Sequence, residues 1–191
     1  MRLEGKVALI TGASRGQGAE EAKLFSKEGA AVIATDVLDE DGKKLEAEIN
    51  RDGGNCLFIH LDVSDPQQWE NVISETLKVH KRIDVLVNNA GIAVWGTNDD
   101  TTEEIWDNVM DINAKGVFLG PKYVLPEMKS TGADPLLTYR LFPDFGDKRA
   151  YNQCITLLKE LSDFLQNLLP SNMVSMAFEP TQFIQAQSTH K

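Results

Sequence analysis

The sequence predicts an α/β fold, a doubly wound parallel sheet, with a C-terminal part that is incomplete or irregular. Two observations carry this expectation. Short apolar runs alternate with helix-length amphipathic segments from Val7 to Met128, and strands alternating with helices of that length imply a parallel sheet covered on both faces. Twelve of the 14 glycines lie within residues 1–130, where they punctuate this alternation, and the pattern stops near Gly132. The chain has 191 residues, 42% hydrophobic and 25% charged, an ordinary globular composition and enough for one good-sized domain.

Taken in order, Val7-Ala8-Leu9-Ile10 is an apolar run closed by Thr11-Gly12, a buried strand. Ala19, Ala22 and Phe25 recur at helical spacing between Gly18 and Glu28, and Gly29 stands where a helix stops. Ala31-Val32-Ile33-Ala34 is a second strand, and Leu38, Leu45 and Ile49 mark a charged surface helix between Asp39 and Arg51. Leu57-Phe58-Ile59 gives a third strand. Ser64-Asp65-Pro66 then opens a helix with Trp69, Val72, Ile73 and Leu77 on one face. Ile83 to Val87 is a fourth strand. Ile105, Trp106, Val109 and Ile112 mark a helix opened by Thr101 or Thr102, and Val117 to Met128 a further one that Pro121 should kink or break. Pro135 to Gly146 is loop-like, with room for a short strand at Leu136-Leu137-Thr138-Tyr139. Tyr151, Ile155, Leu158, Leu161, Leu165 and Leu168 outline an amphipathic helix ended by Pro170, and Met173 to Phe178 could form a last strand. We read residues 1–130 as a dinucleotide-binding region and 131–191 as a divergent C-terminal segment of the same domain.

The binding expectation comes from the loop Thr11-Gly12-Ala13-Ser14-Arg15-Gly16-Gln17-Gly18 between the first strand and the first helix. Gly12 permits a tight turn, Gly16 lets the backbone approach a pyrophosphate, and Gly18 lets helix and strand pack closely. The helix start presents unpaired N–H groups and partial positive charge to phosphates. A glycine-rich turn with no ligand is the bland alternative, but Asp36 follows the second strand, 18 residues after Gly18. A carboxylate there can accept hydrogen bonds from both hydroxyls of an adenosine ribose and would repel a 2′-phosphate, which favours NAD over NADP. Arg15 is the counter-signal, since an arginine in this loop can hold a 2′-phosphate.

With the loop, Asp36, Leu61-Asp62-Val63, Asn88-Asn89-Ala90-Gly91 and Asn113, the region from Arg2 to Met128 resembles the short-chain dehydrogenase/reductase family and its Rossmann-like fold. The resemblance implies that Gly12, Ser14, Arg15, Gly16, Gln17 and Gly18 line the diphosphate and nicotinamide side. Gln17 stands where many members carry an apolar residue. Asp36 and Val37 would meet the adenosine ribose, Asp62 and Val63 the adenine, and Asn89, Ala90 and Gly91 the ribose and nicotinamide. Asn88 is expected to tie strands together. Asn113 matches the helix asparagine that helps hold a water in the family's proton relay. The implied activity is NAD-dependent hydride transfer between nicotinamide and a small-molecule secondary alcohol or ketone.

Hydride transfer to a carbonyl also needs a proton donor near the oxygen. The family uses a serine and a tyrosine, with a lysine four residues after the tyrosine that lowers its pKa. This chain has no Tyr-x-x-x-Lys: Tyr123 is followed four residues later by Glu127, Tyr139 by Pro143 and Tyr151 by Ile155. Tyr151, at a helix start, is the catalytic candidate by position, although a half-buried aromatic packing its helix fits the residue better. The missing pair keeps a second reading open: a catalytically silent nucleotide-binding or interaction protein, or a truncated homologue.

The remaining features exclude other classes. Net charge is −10, from 19 basic and 29 acidic residues, and supplies no basic face for nucleic acid. No apolar run reaches the roughly 18 residues of a membrane span, and the N-terminus has no apolar signal-peptide core. Cys56 and Cys154 make no disulfide framework and suit a reducing cytoplasm. His60, His80 and His190 do not cluster at metal spacing, so no metal is expected. Trp95, just past Gly91, could face a substrate or pack its loop. The resemblance also allows a homo-oligomer built through the helices around Ile105 to Met128.

Overall fold

The computed structural model describes residues 1–94, 97, 99–131 and, as backbone, 136–139. Its elements are β1 (Val7–Thr11), α1 (Gly16–Lys27), β2 (Ala31–Asp36), α2 (Asp39–Arg51), β3 (Asn55–His60), α3 (Pro66–His80), β4 (Val85–Asn88), α4 (Glu103–Met110), α5 (Gly116–Ser130) and β5 (Leu136–Tyr139). The strands form one sheet in the order β3-β2-β1-β4-β5, and every pairing is parallel. The predicted α/β, doubly wound architecture is the one observed.

Strand alternation sends successive side chains to opposite faces, and each face has its own core. Val7, Leu9, Ile33 and Leu86 point to one side, where they meet Trp69, Val72, Val117, Val124 and Met128 of α3 and α5. Ala8, Ile10, Val32, Ala34, Val85 and Val87 point to the other, against Ala19, Ala22, Leu45 and Ile49 of α1 and α2. The second face is rich in alanine, which lets α1 lie close to the strands. Trp69 fills the first face and is fully buried, its indole N–H donating to the Val63 carbonyl at 2.9 Å.

Helix starts follow the residues expected of them. Asp65 caps α3 by accepting from the Gln67 N–H at 2.8 Å, with Pro66 in the first turn. Between Thr101 and Thr102, it is Thr102 that caps α4, accepting from the Ile105 N–H at 3.2 Å. α1 begins two residues earlier than its apolar spacing indicates, because Gly16 and Gln17 carry no apolar mark.

One expectation is narrowed and one is corrected. Pro121 does not break its helix: α5 runs through both Pro121 and Pro126. An interior proline removes one hydrogen bond and crowds the preceding turn, but Pro121 is buried with Val117, Leu119, Val124 and Leu125, and that packing outweighs the local preference. Nor are α4 and α5 separate helices. A single π-helical turn, Asp111–Lys115, joins them into one run. α4 itself buries none of its residues, and Trp106 is 53% exposed. The predicted strand at Leu136–Tyr139 is present as β5, in register with Val85–Asn88. Everything expected of Trp95, Tyr151, the helix after it and the strand near Phe178 lies outside the described residues.

Candidate functional site

β2 and β3 continue outward from one side of β1, and β4 and β5 from the other. The strand order therefore reverses between β1 and β4. In open parallel sheets the crevice beyond the carboxyl ends of strands at such a reversal is where ligands bind. The segments emerging there are the glycine loop after β1 and Asn89-Ala90-Gly91 after β4.

A polar hub fixes them to each other. Thr11 Oγ1 donates to the Val87 carbonyl (3.3 Å) and accepts from the backbone N–H groups of Asn89 and Ala90, both at 3.0 Å. That uses the full capacity of a hydroxyl. Asn89 returns the contact, its side-chain amide donating to the carbonyls of Thr11 (2.9 Å) and Gly12 (3.0 Å). In the sequence Thr11 reads only as the close of the first strand and the start of the glycine loop. A threonine at a buried strand end just before the turning glycine is the signal that could have found it.

Three glycines have three separate reasons. Gly12 has φ +63°, and a Cβ there would stand 2.7 Å from the Ala90 Cα. At Gly18 a Cβ would stand 2.3 Å from the Gly12 carbonyl oxygen and 2.5 Å from the Asn89 amide nitrogen. Gly16 has φ +55°, and a Cβ there would meet no protein atom within 4 Å. The first two are demanded by packing; the third borders open space above the start of α1. The first helical hydrogen bond of α1 runs from the Ala19 N–H to the Arg15 carbonyl at 3.3 Å. The amides of Gly16, Gln17 and Gly18 precede it. The N-cap residue, Arg15, supplies no acceptor, and the first turn holds no acid. A helix start of this kind carries unpaired N–H groups and partial positive charge.

Asp36 ends β2 beside this loop. Its Oδ2 accepts from the Ser14 N–H at 3.0 Å and its Oδ1 from the Leu38 N–H at 3.1 Å. Ser14 Oγ donates to the Leu38 carbonyl at 3.3 Å. A carboxylate has about four lone-pair sites, so Asp36 is held in place and still able to accept. Val37, next to it, is 52% exposed. Gln17 points along its own helix, donating to Glu21 at 3.2 Å.

Beyond β3, Asp62 Oδ1 accepts from both the N–H (2.9 Å) and the hydroxyl (2.7 Å) of Ser64, which makes it a turn-former. Val63 is buried, and a Cβ on Gly116 would stand 2.6 Å from its Cγ2. Asn113 sits in the π-helical turn. Its side chain clips that turn to the loop after β4: Oδ1 accepts from the Ile92 N–H at 2.9 Å, and Nδ2 donates to the Ile92 carbonyl at 2.8 Å. A Cβ on Gly91 would stand 3.3 Å from Asn113 Oδ1. π-turns inside helices are common at functional sites. Asn88 is buried between β4 and α5, its amide nitrogen without a partner among the described residues.

The glycine loop, Asn89, Ala90, Gly91, Asp36, Asp62 and Asn113 thus share the carboxyl edge of the sheet. A cavity of about 280 Å³ between α1 and α2, lined by Lys23, Ser26, Glu48 and Gly54 among others, touches none of them. Among the described residues no group of histidine, cysteine, aspartate and glutamate could hold a metal ion, and no helix is long and apolar enough to cross a membrane.

The architecture and the position of its glycine turn define a Rossmann-type nucleotide-binding fold. The family model for short chain dehydrogenases matches residues 6–134, and the chain belongs to that family. It is 40% identical over 136 residues to a 3-alpha-(or 20-beta)-hydroxysteroid dehydrogenase of Mycobacterium tuberculosis, covering 71% of this chain and 51% of that protein. It is also 40% identical over 128 residues to a cyclopentanol dehydrogenase of Comamonas testosteroni, covering 67% of this chain and 51% of that one. A crystal structure of a proposed short-chain dehydrogenase/reductase from Burkholderia xenovorans superposes with a TM-score of 0.68 at 33% identity, over 72% of this chain and 56% of that one. The chain spans about half the length of these curated relatives.

Proposed function

We propose that this chain binds NAD along the carboxyl edge of β1, β2 and β4. The reading is that of the dinucleotide-binding region of a short-chain oxidoreductase of secondary alcohols or their ketones. The uncapped start of α1 carries it: three leading amides, no acid in the first turn, and open space above Gly16. These features suit the diphosphate of a dinucleotide. Gly12, Ser14 and Gly18 shape that cradle, while Gly16 and Gln17 border it. Asp36, held by Ser14 and Leu38, accepts from the adenosine ribose, with Val37 beside it. Asp62 and Val63 form the adenine side. Asn89, Ala90, Gly91 and Asn113 form the wall at the nicotinamide end. The cofactor, when bound, supplies the hydride acceptor; the residues of the chain bind and orient it.

A second reading rests on one sequence fact. No tyrosine here has a lysine four residues on, so nothing at that spacing stabilises a tyrosinate as proton acceptor. The chain then holds NAD without turning over alcohol.

One experiment separates these readings. The purified chain is titrated with NAD and NADP, as is its Asp36→Ala variant, and both are assayed with NAD on cyclopentanol and a hydroxysteroid, the substrate types in two relatives' names. We expect NAD to bind, Asp36→Ala to weaken it and to narrow the preference over NADP, and alcohol oxidation to stay at background. Unchanged NAD affinity in Asp36→Ala would remove the ribose assignment, and turnover above background would remove the silent reading.

A further inference from the structure

We propose that Asp41 is a second determinant of NAD over NADP preference, a positioning residue that acts by engaging Arg15 and so keeping its guanidinium from a 2′-phosphate. This rests on the NAD reading above.

Arg15 follows Ser14 directly, and the Ser14 N–H lies 3.0 Å from the Asp36 carboxylate. The Arg15 backbone is therefore one residue from the group assigned to the ribose. A guanidinium there is the natural partner of a 2′-phosphate, which it can bind through two parallel N–H donors. Two of its three nitrogens are engaged by Asp41. Nε lies 2.6 Å and Nη2 2.5 Å from the same oxygen of Asp41, in the first turn of α2. The other Asp41 oxygen takes the Lys44 ammonium at 3.1 Å. One carboxylate thus engages two cations. Lys44 and then Arg15 hold the Asp41 carboxyl below its ordinary pKa, so it stays charged at neutral pH.

The rest of the neighbourhood sharpens the effect. The first turn of α2 carries Asp39 and Glu40 as well as Asp41, and His60 is bound to Asp39 at 2.7 Å. A 2′-phosphate arriving here meets Asp36, Asp39 and Glu40. To recruit Arg15 it must first part that residue from Asp41. An exposed ion pair adds little to stability, and Arg15 is 69% exposed. The pair matters here because of the ligand it denies a partner.

The test is calorimetric titration of the full chain with NAD and with NADP, for the wild type, Asp41→Asn and the double variant Arg15→Ala/Asp41→Asn. Asp41→Ser, whose hydroxyl also suits a helix start, is a second version should Asp41→Asn melt early. Freeing one cation near a dianionic phosphate should tighten NADP about three- to tenfold, with NAD affinity within about twofold. The double variant should lose that gain. An unchanged NADP affinity in both Asp41 variants overturns the proposal. So does a gain that persists without Arg15, because Asp41 would then act only by repulsion. Failure of the parent reading looks different: there the wild type binds neither nucleotide or prefers NADP. If Asp36→Ala narrows the preference and Asp41→Asn does not, only the present inference falls.

Discussion

β1 and β4 are joined by polar side chains at both ends, with opposite chemistry. At the amino edge the tie is a charge. Asp84 is 1% exposed and accepts from the Val7 N–H at 2.9 Å and from Arg82 Nε at 2.8 Å. A second Arg82 nitrogen contacts its other oxygen, and the Lys6 ammonium stands 3.6 Å away. At the carboxyl edge the tie is neutral, made by Thr11 and the Asn89 amide. A buried carboxylate needs cations around it. Placed at the carboxyl edge, such a group and its cations would compete with any anion for the start of α1. The neutral hub leaves that field available, and Asp36, at the end of β2, sits one strand over. The difference teaches that the same mechanical task is done with whichever polarity the neighbouring site can tolerate.

The largest expected effect tests how rigid the neutral hub is. In Gly18→Ala the new methyl would collide with the Gly12 carbonyl oxygen at 2.3 Å and the Asn89 amide at 2.5 Å. One obstacle is backbone, and moving the other breaks a hub hydrogen bond. The cost should be about 2–4 kcal/mol, as overpacking plus a lost buried bond. It should appear as a lower midpoint in urea unfolding. A loss under about 1 kcal/mol would mean that the hub yields, and the contrast between a stiff neutral edge and a charged one would go.

The two edges differed just as much in how far the sequence disclosed them. The carboxyl edge was legible because its demands fall on neighbouring residues: a turn, an approach and a packing contact select glycine at 12, 16 and 18. The amino edge was not. Asp84 lies inside the apolar run Ile83 to Val87 and reads as part of a strand, yet β4 begins only at Val85. Nothing in its spacing reveals that its partner is the Val7 N–H, 77 residues away. The Arg15–Asp41 pair, 26 residues apart, was hidden for the same reason. The π-turn at Asp111–Lys115 has no residue signature, and the bonds of its Asn113 reach Ile92, 21 residues away. β5, by contrast, was visible as a short apolar run, although only its register showed that it adds to the sheet beside β4.

The intermediate effect belongs to the charged edge. Asp84→Asn keeps the shape but loses the charge that faces Arg82 and Lys6. Arg82 is 40% exposed and can return to water, so the loss should be about 1–3 kcal/mol at neutral pH. Its pH dependence is the sharper test. Burial pushes the Asp84 carboxyl up, but the hydrogen bonds from Arg82 and the Val7 N–H together outweigh it and hold the group below its ordinary value. A folded pKa below the unfolded one means that its stabilisation is complete above about pH 4 and is lost as the pH falls through the folded value. Unfolding measured from neutral pH down to about 3 should show wild type and Asp84→Asn converging in that acid window. Parallel curves would mean that the amino edge is held by geometry alone.

The smallest stability effect should come from Gly16→Ala, and it separates what the carboxyl edge needs in order to fold from what it needs in order to bind. Gly16 shares the left-handed backbone of Gly12, with φ +55°, but its Cβ would touch no protein atom within 4 Å. The left-handed conformation alone costs about 1–2 kcal/mol, less than the collision at Gly18. On the proposed reading the added methyl lies where the diphosphate approaches the leading amides of α1. NAD binding should then weaken by about tenfold or more, the equivalent of a steric penalty near 1.4 kcal/mol or above. Titration and unfolding on the same sample make the comparison internal. If Gly16→Ala binds NAD as the wild type does, the open space above that residue has no part in holding a nucleotide. The absence of a crowding atom at Gly16, set against two crowded glycines on either side of it, would then reflect only the course of the chain around the end of β1.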